Sequence, residues 1–262
     1  MADSGRERIL YHYRPVVFGV ETFPRSVTLP RHRHVGGYAT VVLAGSFIEA
    51  SFAGRAQVSA GDVLLHGRFD CHANEALSRR GPQILRLPWE DDFLEGHFRT
   101  RDPDLLARMA EQDPFEAARH LRDSIEPVRR CEPHWTEILA GTLAAGPDLC
   151  LNGWAERAGM APATLSRGFH RRFGVTPKMF RLESRARRAW ATLIRTSVPL
   201  TSIAHEFGFS DLAHMSRSIA ALTGWAPSCW RAHLATARAA MGAEDPGAQE
   251  LRWRNFDQVR SS

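Results

Sequence analysis

The chain has 262 residues, 44% hydrophobic and 24% charged, with a net charge of +5. That size and mix fit a globular protein with one large core or two modest ones, and exclude a disordered or fibrous chain. No apolar run approaches the ~20 residues of a membrane helix, and Met1-Ala-Asp-Ser-Gly-Arg-Glu-Arg lacks the apolar core of a signal peptide, so a cytoplasmic location is expected. The cysteines, Cys71, Cys131, Cys150 and Cys229, form no CxxC pair. Their scatter argues against a cysteine zinc site or a disulfide framework and fits a reducing compartment.

Residues 1–13 read as a polar arm. From Pro15 to about Trp89 short apolar runs follow one another: Val16–Val20, Ala39–Leu43, Phe47–Phe52, Val63–Leu65 and Ile84–Leu87. Gly36-Gly37, Gly45, Gly54, Gly61-Asp62, Gly67 and Gly81-Pro82 punctuate them, a pattern that predicts a β-barrel or sandwich over residues 14–92. Within it, Leu29-Pro-Arg-His32-Arg-His34, Tyr38 and Gly45 resemble the first motif of the cupin fold, and Gly61-Asp-Val-Leu-Leu-His-Gly67…His72 resembles the second. His32 and His34 alternate along a strand and so face one way, with His72 expected on a neighbouring strand. Three imidazoles can hold zinc, iron or manganese. The resemblance implies a glutamate ligand where this chain has Tyr38, which subtracts a charged donor. Three alternatives stay open for His32, His34, Tyr38 and His72: an organic effector pocket, a divalent metal site on the three histidines, or hydrogen-bonded histidines of the barrel. No cofactor is otherwise expected.

Residues 93–132 turn helical, with punctuation at Pro103, Pro114 and Pro127. Phe115, Ala118, Leu121 and Ile125 make an apolar stripe that either packs on the chain's own barrel or joins two copies. Arg129-Arg130, between Pro127 and Pro133, marks a linker.

Residues 133–238 form the second expected domain, and 239–262 a tail with Trp253 and Phe256 as anchors. Pro133 to Ala145, with Trp135, Ile138, Leu139 and Leu143, opens it as a support helix. Residues 133–240 carry 13 Lys/Arg against 6 Asp/Glu, a net +7 that leaves −2 for the remainder, so this module is the one suited to a polyanion. Its centre repeats itself. Ala155…Gly159 returns as Ala204…Gly208, and Leu165-Ser-Arg167 returns as Met215-Ser-Arg217. Phe173-Gly174…Pro177 returns as Thr223-Gly224…Pro227, and the second copy carries one extra residue in its turn. Each copy predicts a helix-turn-helix: a helix ended by a glycine, a tight turn, and a second helix. Leu165, Phe169 and Phe173 share one face of the first copy, opposite Ala163, Arg167 and Arg171. Met215, Ile219 and Leu222 do the same in the second, opposite Ala213, Arg217 and Ala221. Thr176-Pro177 caps a long connecting helix with Met179, Leu182, Ala186, Ala189 and Leu193 inward.

On these residues, together with Arg185…Ala189 and Ile203-Ala…Gly208-Phe-Ser-Asp211…His214, the segment resembles the DNA-binding domain of the AraC/XylS family of transcription regulators. It departs from that family's usual aromatics at Ile219 and Thr223 and from its frequent Gln-Ser at Leu212-Ala213. The resemblance implies an α+β protein of two domains, a cupin-like barrel with helices and an all-α domain with two helix-turn-helix motifs. It implies a ligand-responsive DNA-binding regulator and no enzyme. Its expected partners are promoter DNA, a small-molecule effector, RNA polymerase and a second copy of the chain, with no membrane.

A connecting helix of about 19 residues spans roughly 28 Å, close to the roughly 34 Å turn of B-DNA. Ala163, Ser166, Arg167, His170 and Arg171 of the first motif, and Ala213, Ser216 and Arg217 of the second, are the expected DNA-facing residues. An arginine fork bonds both acceptors of a guanine edge, and alanine meets only thymine methyls, so the first motif should carry more of the polar specificity. Arg172, Arg181 and Arg185 are expected on phosphates. The rival from another class is a metal-dependent cupin enzyme carrying a DNA-binding domain.

Overall fold

The computed structural model describes residues 16–24, 28–77, 81–89, 94–128, 133–146 and 149–240. The polar arm, Cys131, the Arg129-Arg130 linker and the expected tail beyond Ala240 lie outside them, while residues 239 and 240 end a helix. By packing, the chain divides into two compact units, residues 1–185 and 186–262. The composition and the repeat predict a boundary at 132/133 instead.

Among the described residues the first unit has ten antiparallel strands: β1 (Gly19–Thr22), β2 (Thr28–Arg33), β3 (Tyr38–Ala44), β4 (Ser46–Ser51), β5 (Gly54–Ser59), β6 (Asp62–His66), β7 (Cys71–Ala76), β8 (Gln83–Pro88), β9 (Gly96–Arg99) and β10 (Glu126–Pro127). They form a six-stranded sheet, β1-β8-β3-β6-β9-β10, and a four-stranded sheet, β2-β7-β4-β5. The strands rich in Val, Leu and Ile stand mid-sheet because they bury both faces. Val41, Val63, Leu85 and Leu87 are fully covered.

Two helices, α1 (Pro103–Gln112) and α2 (Pro114–Ser124), lie between β9 and β10. Each starts on an Asp-Pro pair. Asp102 accepts from the Leu105 amide at 2.7 Å, and Asp113 accepts from Phe115 and Glu116 at 2.8 and 3.2 Å. Leu106, Ala117, Ala118 and Leu121 pack on Ala39, Val41, Val63, Leu65, Leu85, Leu87 and Trp89 of the six-stranded sheet. The stripe on α2 is therefore covered by its own barrel. The segment is also not helical throughout. Residues 96–99 pair with β6, and Glu126-Pro127 pairs with β9. The prolines that punctuate the sequence there mask these short strands.

The rest of the first unit is helical: α3 (Trp135–Ala145), α4 (Leu151–Arg157), α5 (Pro162–Phe173) and the start of α6 (Pro177–Arg195). The second unit holds the end of α6, α7 (Leu200–Glu206), α8 (Leu212–Thr223) and α9 (Pro227–Ala240). The expected support helix is α3, in which Thr136, Leu139, Ala140 and Leu143 are buried and Ile138 is half exposed.

Candidate functional site

In the first motif, α4 ends at Arg157 with Ala158 as its C-cap, and Gly159 takes φ +66°, a left-handed turn that a side chain disfavours. Leu165, Phe169 and Phe173 of α5 are buried, while Ala163, Arg167, His170 and Arg171 are exposed and Ser166 is half buried. An open groove is lined by Ser166, Arg167, His170, Arg171 and Thr176. Phe169 and Phe173 stack at 4.6 Å and meet Phe180 of α6 edge-on at 5.3 and 5.4 Å. Thr176 accepts from the Met179 amide at 3.3 Å, the expected cap of α6. Behind α5, Trp135 of α3 lies so close that a Cβ on Gly168 would be 2.8 Å from its ring.

Two of the arginines expected on phosphates have partners inside the protein. Arg172 donates to Glu137 at 2.9 Å, and Arg181 donates to the Leu149 carbonyl at 3.0 Å. Both are half buried, and these contacts tie α5 to α3 and α6 to the segment before α4. Arg185 is also half buried.

The second motif repeats the plan with different chemistry. Gly208 takes φ +67°, and Met215, Ile219, Leu222 and Thr223 of α8 are buried. Ala213 and Arg217 are exposed, with Ser216 half buried. The extra residue of this turn allows Asp211 to cap α8, where it accepts from the His214 amide at 2.6 Å. That bond and one from Ser210 hold the Asp211 carboxyl below its usual range. No side chain caps α5. Thr223 stands where the first motif has Phe173. Its Oγ1 accepts from Trp230 Nε1 at 2.9 Å and from the Trp225 amide at 3.2 Å. The departure from an aromatic thus converts a ring contact into a polar hub. In the same unit, Trp230 meets Trp190 of α6 edge-on at 5.5 Å.

The barrel histidines also come together. His32 stands opposite His72 in the β2/β7 register, and a bulge before it resets the alternation. His34 lies one residue past the end of β2 rather than on it, yet the rings of His32, His34 and His72 are 4.3–5.3 Å apart. Tyr38 shares a 3.2 Å hydrogen bond with His72 Nε2 and stacks on His66, its partner across β3 and β6. His66, Asp70 and Glu49, which the sequence does not single out, are buried in the same cluster. His66 lies inside the second cupin-like motif and was there to be seen. Glu49 gave its signal as an acidic residue on the inward phase of an apolar strand.

His66 Nδ1 donates to Asp70 at 3.0 Å, and its Nε2 lies 3.5 Å from Glu49. Burial lowers the His66 pKa, but Glu49 and Asp70 more than offset it and the net shift is upward. Burial, reinforced by His66, His32 and His34, drives His72 well below its ordinary value, so that ring is neutral. Burial and then Glu49 raise Tyr38 well above its own.

Two cavities adjoin this cluster. A narrow one of about 40 Å³ is lined by His32, Tyr38, Glu49, His72, Asn74 and Arg86 among others. A wider, open one of about 390 Å³ is lined by Phe18, Val20, Phe23, Leu29, His32, His34 and Arg86 among others. The four expected pocket residues are therefore divided: Tyr38 and His72 face the narrow cavity, His34 the wide one, and His32 both.

Next to His32, Arg31 is directed elsewhere. Its Nε donates to Glu183 of α6 at 2.9 Å, with the two side chains only 4% and 1% exposed. Its guanidinium also lies 5.2 Å from the rings of Phe52 and Phe180 and 3.5 Å from the Phe173 carbonyl. Burial works against the charge, and Glu183 more than offsets it. The barrel therefore reaches the first motif directly, through Arg31.

Residues 154–233 match the family described as "Helix-turn-helix domain". No curated protein matches the chain. Among solved structures, ToxT from Vibrio cholerae strain SCE256 with bound unsaturated fatty acid is 11% identical, covering 81% of this chain and 93% of its own, with a TM-score of 0.35. The C-terminal domain of AraT, a response regulator from Geobacillus stearothermophilus, is 23% identical over 39% of this chain and 87% of its own, at 0.35. A transcriptional regulator with an AraC-type DNA-binding domain from Chromobacterium violaceum is 27% identical over 37% and 88%, at 0.34. At such low TM-scores these likenesses add nothing to the twin-motif geometry and the family match. No helix among the described residues is long and apolar enough to cross a membrane. Residues 154–233 form a helix-turn-helix domain, and both of its motifs are built as the sequence repeat predicts.

Proposed function

We propose that α5 and α8 read base edges of a promoter, with Arg167 and Arg217 as the base-reading forks. The carrying observation is that both arginines are exposed at matching positions, each opposite a buried apolar face that fixes its helix. Ser166, His170 and Arg171 surround Arg167, whereas Ala213 and Ala221 flank Arg217, so the first helix supplies most of the polar specificity. Arg167→Ala should cost about 1–3 kcal/mol at a cognate site and relax one base position. Arg217→Ala should relax a second position about one helical turn away. Selection of bound sequences from a random DNA pool, repeated with each variant, measures both. Uniform weakening across all sequences would make the two arginines phosphate contacts instead.

The same protein responds to an organic effector in the wide cavity at the barrel mouth, whose Phe18, Val20, Phe23 and Leu29 suit an apolar group and whose Arg86, His32 and His34 suit a polar one. The narrow cavity holds only a few waters by volume. An effector there shifts DNA binding by its differential affinity for two arrangements of β2, and Arg31 carries that shift to α5 and α6. His34→Ala should change the effector dose-response in a promoter reporter while leaving DNA affinity without effector intact. An unchanged midpoint would remove the wide cavity from the response. RNA polymerase and a second copy of the chain are proposed partners. Metal-dependent turnover of a small molecule by the purified protein would favour the enzyme reading instead.

A further inference from the structure

We propose that Glu49, His66 and His72 bind one divalent transition-metal cation between the two sheets of the barrel. One ligand atom from each lies within 4.8 Å of the others, and all three residues are buried. They come from β4, β6 and β7, so both sheets contribute and the backbone fixes the set. Two imidazoles and a carboxylate suit zinc, iron(II) or manganese. The carboxylate that the cupin-like motif lacks at Tyr38 is thereby supplied from another strand.

Three further observations point to an ion. First, donors bound at about 2.0–2.2 Å to one metal stand roughly 3–3.5 Å apart. His66 Nε2 is 3.5 Å from Glu49 Oε2 and makes no hydrogen bond, while His72 Nδ1 is buried with no hydrogen bond and its contact with Asp70 is 3.9 Å long. Second, each ligand is held by a neighbour. His66 Nδ1 donates to Asp70, Tyr38 bonds His72 Nε2, and Asn74 donates at 3.0 Å to Oε2 of Glu49, the oxygen that also faces His66. A carboxylate behind a ligating imidazole is the usual outer shell of such a site. Third, Asp70 is placed by a costly turn, since buried Phe69 takes φ +55°, a left-handed conformation rare for a bulky residue. The narrow cavity beside Glu49 and His72 leaves room for water or a small ligand at an open position.

The alternative set, His32, His34 and His72, has the same ligand spacing. It contains no carboxylate, and a dication there would have no anionic ligand.

The test uses untagged full-length protein, stripped with chelator and titrated with Zn²⁺ and separately with Co²⁺. One equivalent should bind, and X-ray absorption of the zinc-loaded wild type should show two imidazoles, oxygen donors and no sulfur. His66→Gln, His72→Gln and Glu49→Gln should each weaken binding at least thirtyfold, and Asp70→Asn about tenfold, while His34→Gln changes it less than threefold. Absence of a one-equivalent site overturns the proposal. So does a spectrum with three or more imidazoles or with sulfur, or binding that survives His66→Gln and fails in His34→Gln. The wild-type spectrum decides the ligand set even where a variant does not fold. DNA affinity, measured in parallel, tests the regulator reading separately.

Discussion

Thr223 shows at the scale of one residue how the second motif solves a problem the first solves with an aromatic ring. The buried hydroxyl accepts from Trp230 and from the Trp225 amide, so it joins α8 to α9. Thr223→Val keeps the shape and removes that acceptor, and should cost about 1–3 kcal/mol. Thr223→Ser should recover most of it, with thermal or denaturant unfolding as the measurement. Asp211 predicts a pH effect. Its folded carboxyl titrates below its unfolded value because it accepts from His214 and Ser210. The cap therefore stabilises α8 above the unfolded pKa, and its contribution is lost as pH falls through the lower folded one. Asp211→Ala should flatten the acid limb of the stability profile, and an unchanged profile would mean that the cap contributes nothing.

Strand β2 is the element on which two functions meet. Its Leu29 and His32 line the wide cavity, and Arg31 between them is tied to Glu183 on α6. A buried ion pair is weak evidence for net stability, but breaking one side is expensive because the other charge loses its partner. Arg31→Met should cost about 3–5 kcal/mol. Adding Glu183→Leu should return most of that, since the neighbours Phe52, Phe173 and Phe180 already form an apolar surround. The double variant should fold near wild-type stability with a blunted effector response in the reporter. A full response in that variant would show that the pair is structural only.

For the whole molecule, the first helix-turn-helix packs in one unit with the barrel, although the repeat in the sequence assigns it to a separate C-terminal domain. Residues 133–240 expressed alone contain α3 through α9 and should fold and bind DNA. They should also melt below the full chain, because Phe180 loses Phe52 and Glu183 loses Arg31. Equal melting temperatures would show that this packing contributes no stability.

The twin motif was readable in advance because its signals are local. Glycines that end helices, a Thr-Pro cap, an apolar stripe every three or four residues and an outward arginine each depend on a few neighbouring positions. The strand-rich first half was readable as a class for the same reason. Tertiary structure decided what depends on distance along the chain. It bent β2 so that Arg31 and His32 serve different surroundings, and it brought Glu49 and His66 to His72 from separate strands. It also drew Arg172 and Arg181 inward, where an exposed arginine and an internally paired one look the same in sequence. Local pattern sets which face of an element is apolar. Which distant polar groups share a buried space is set only when the sheets close, because the cost of an unpaired buried charge depends on neighbours that the chain brings from far away.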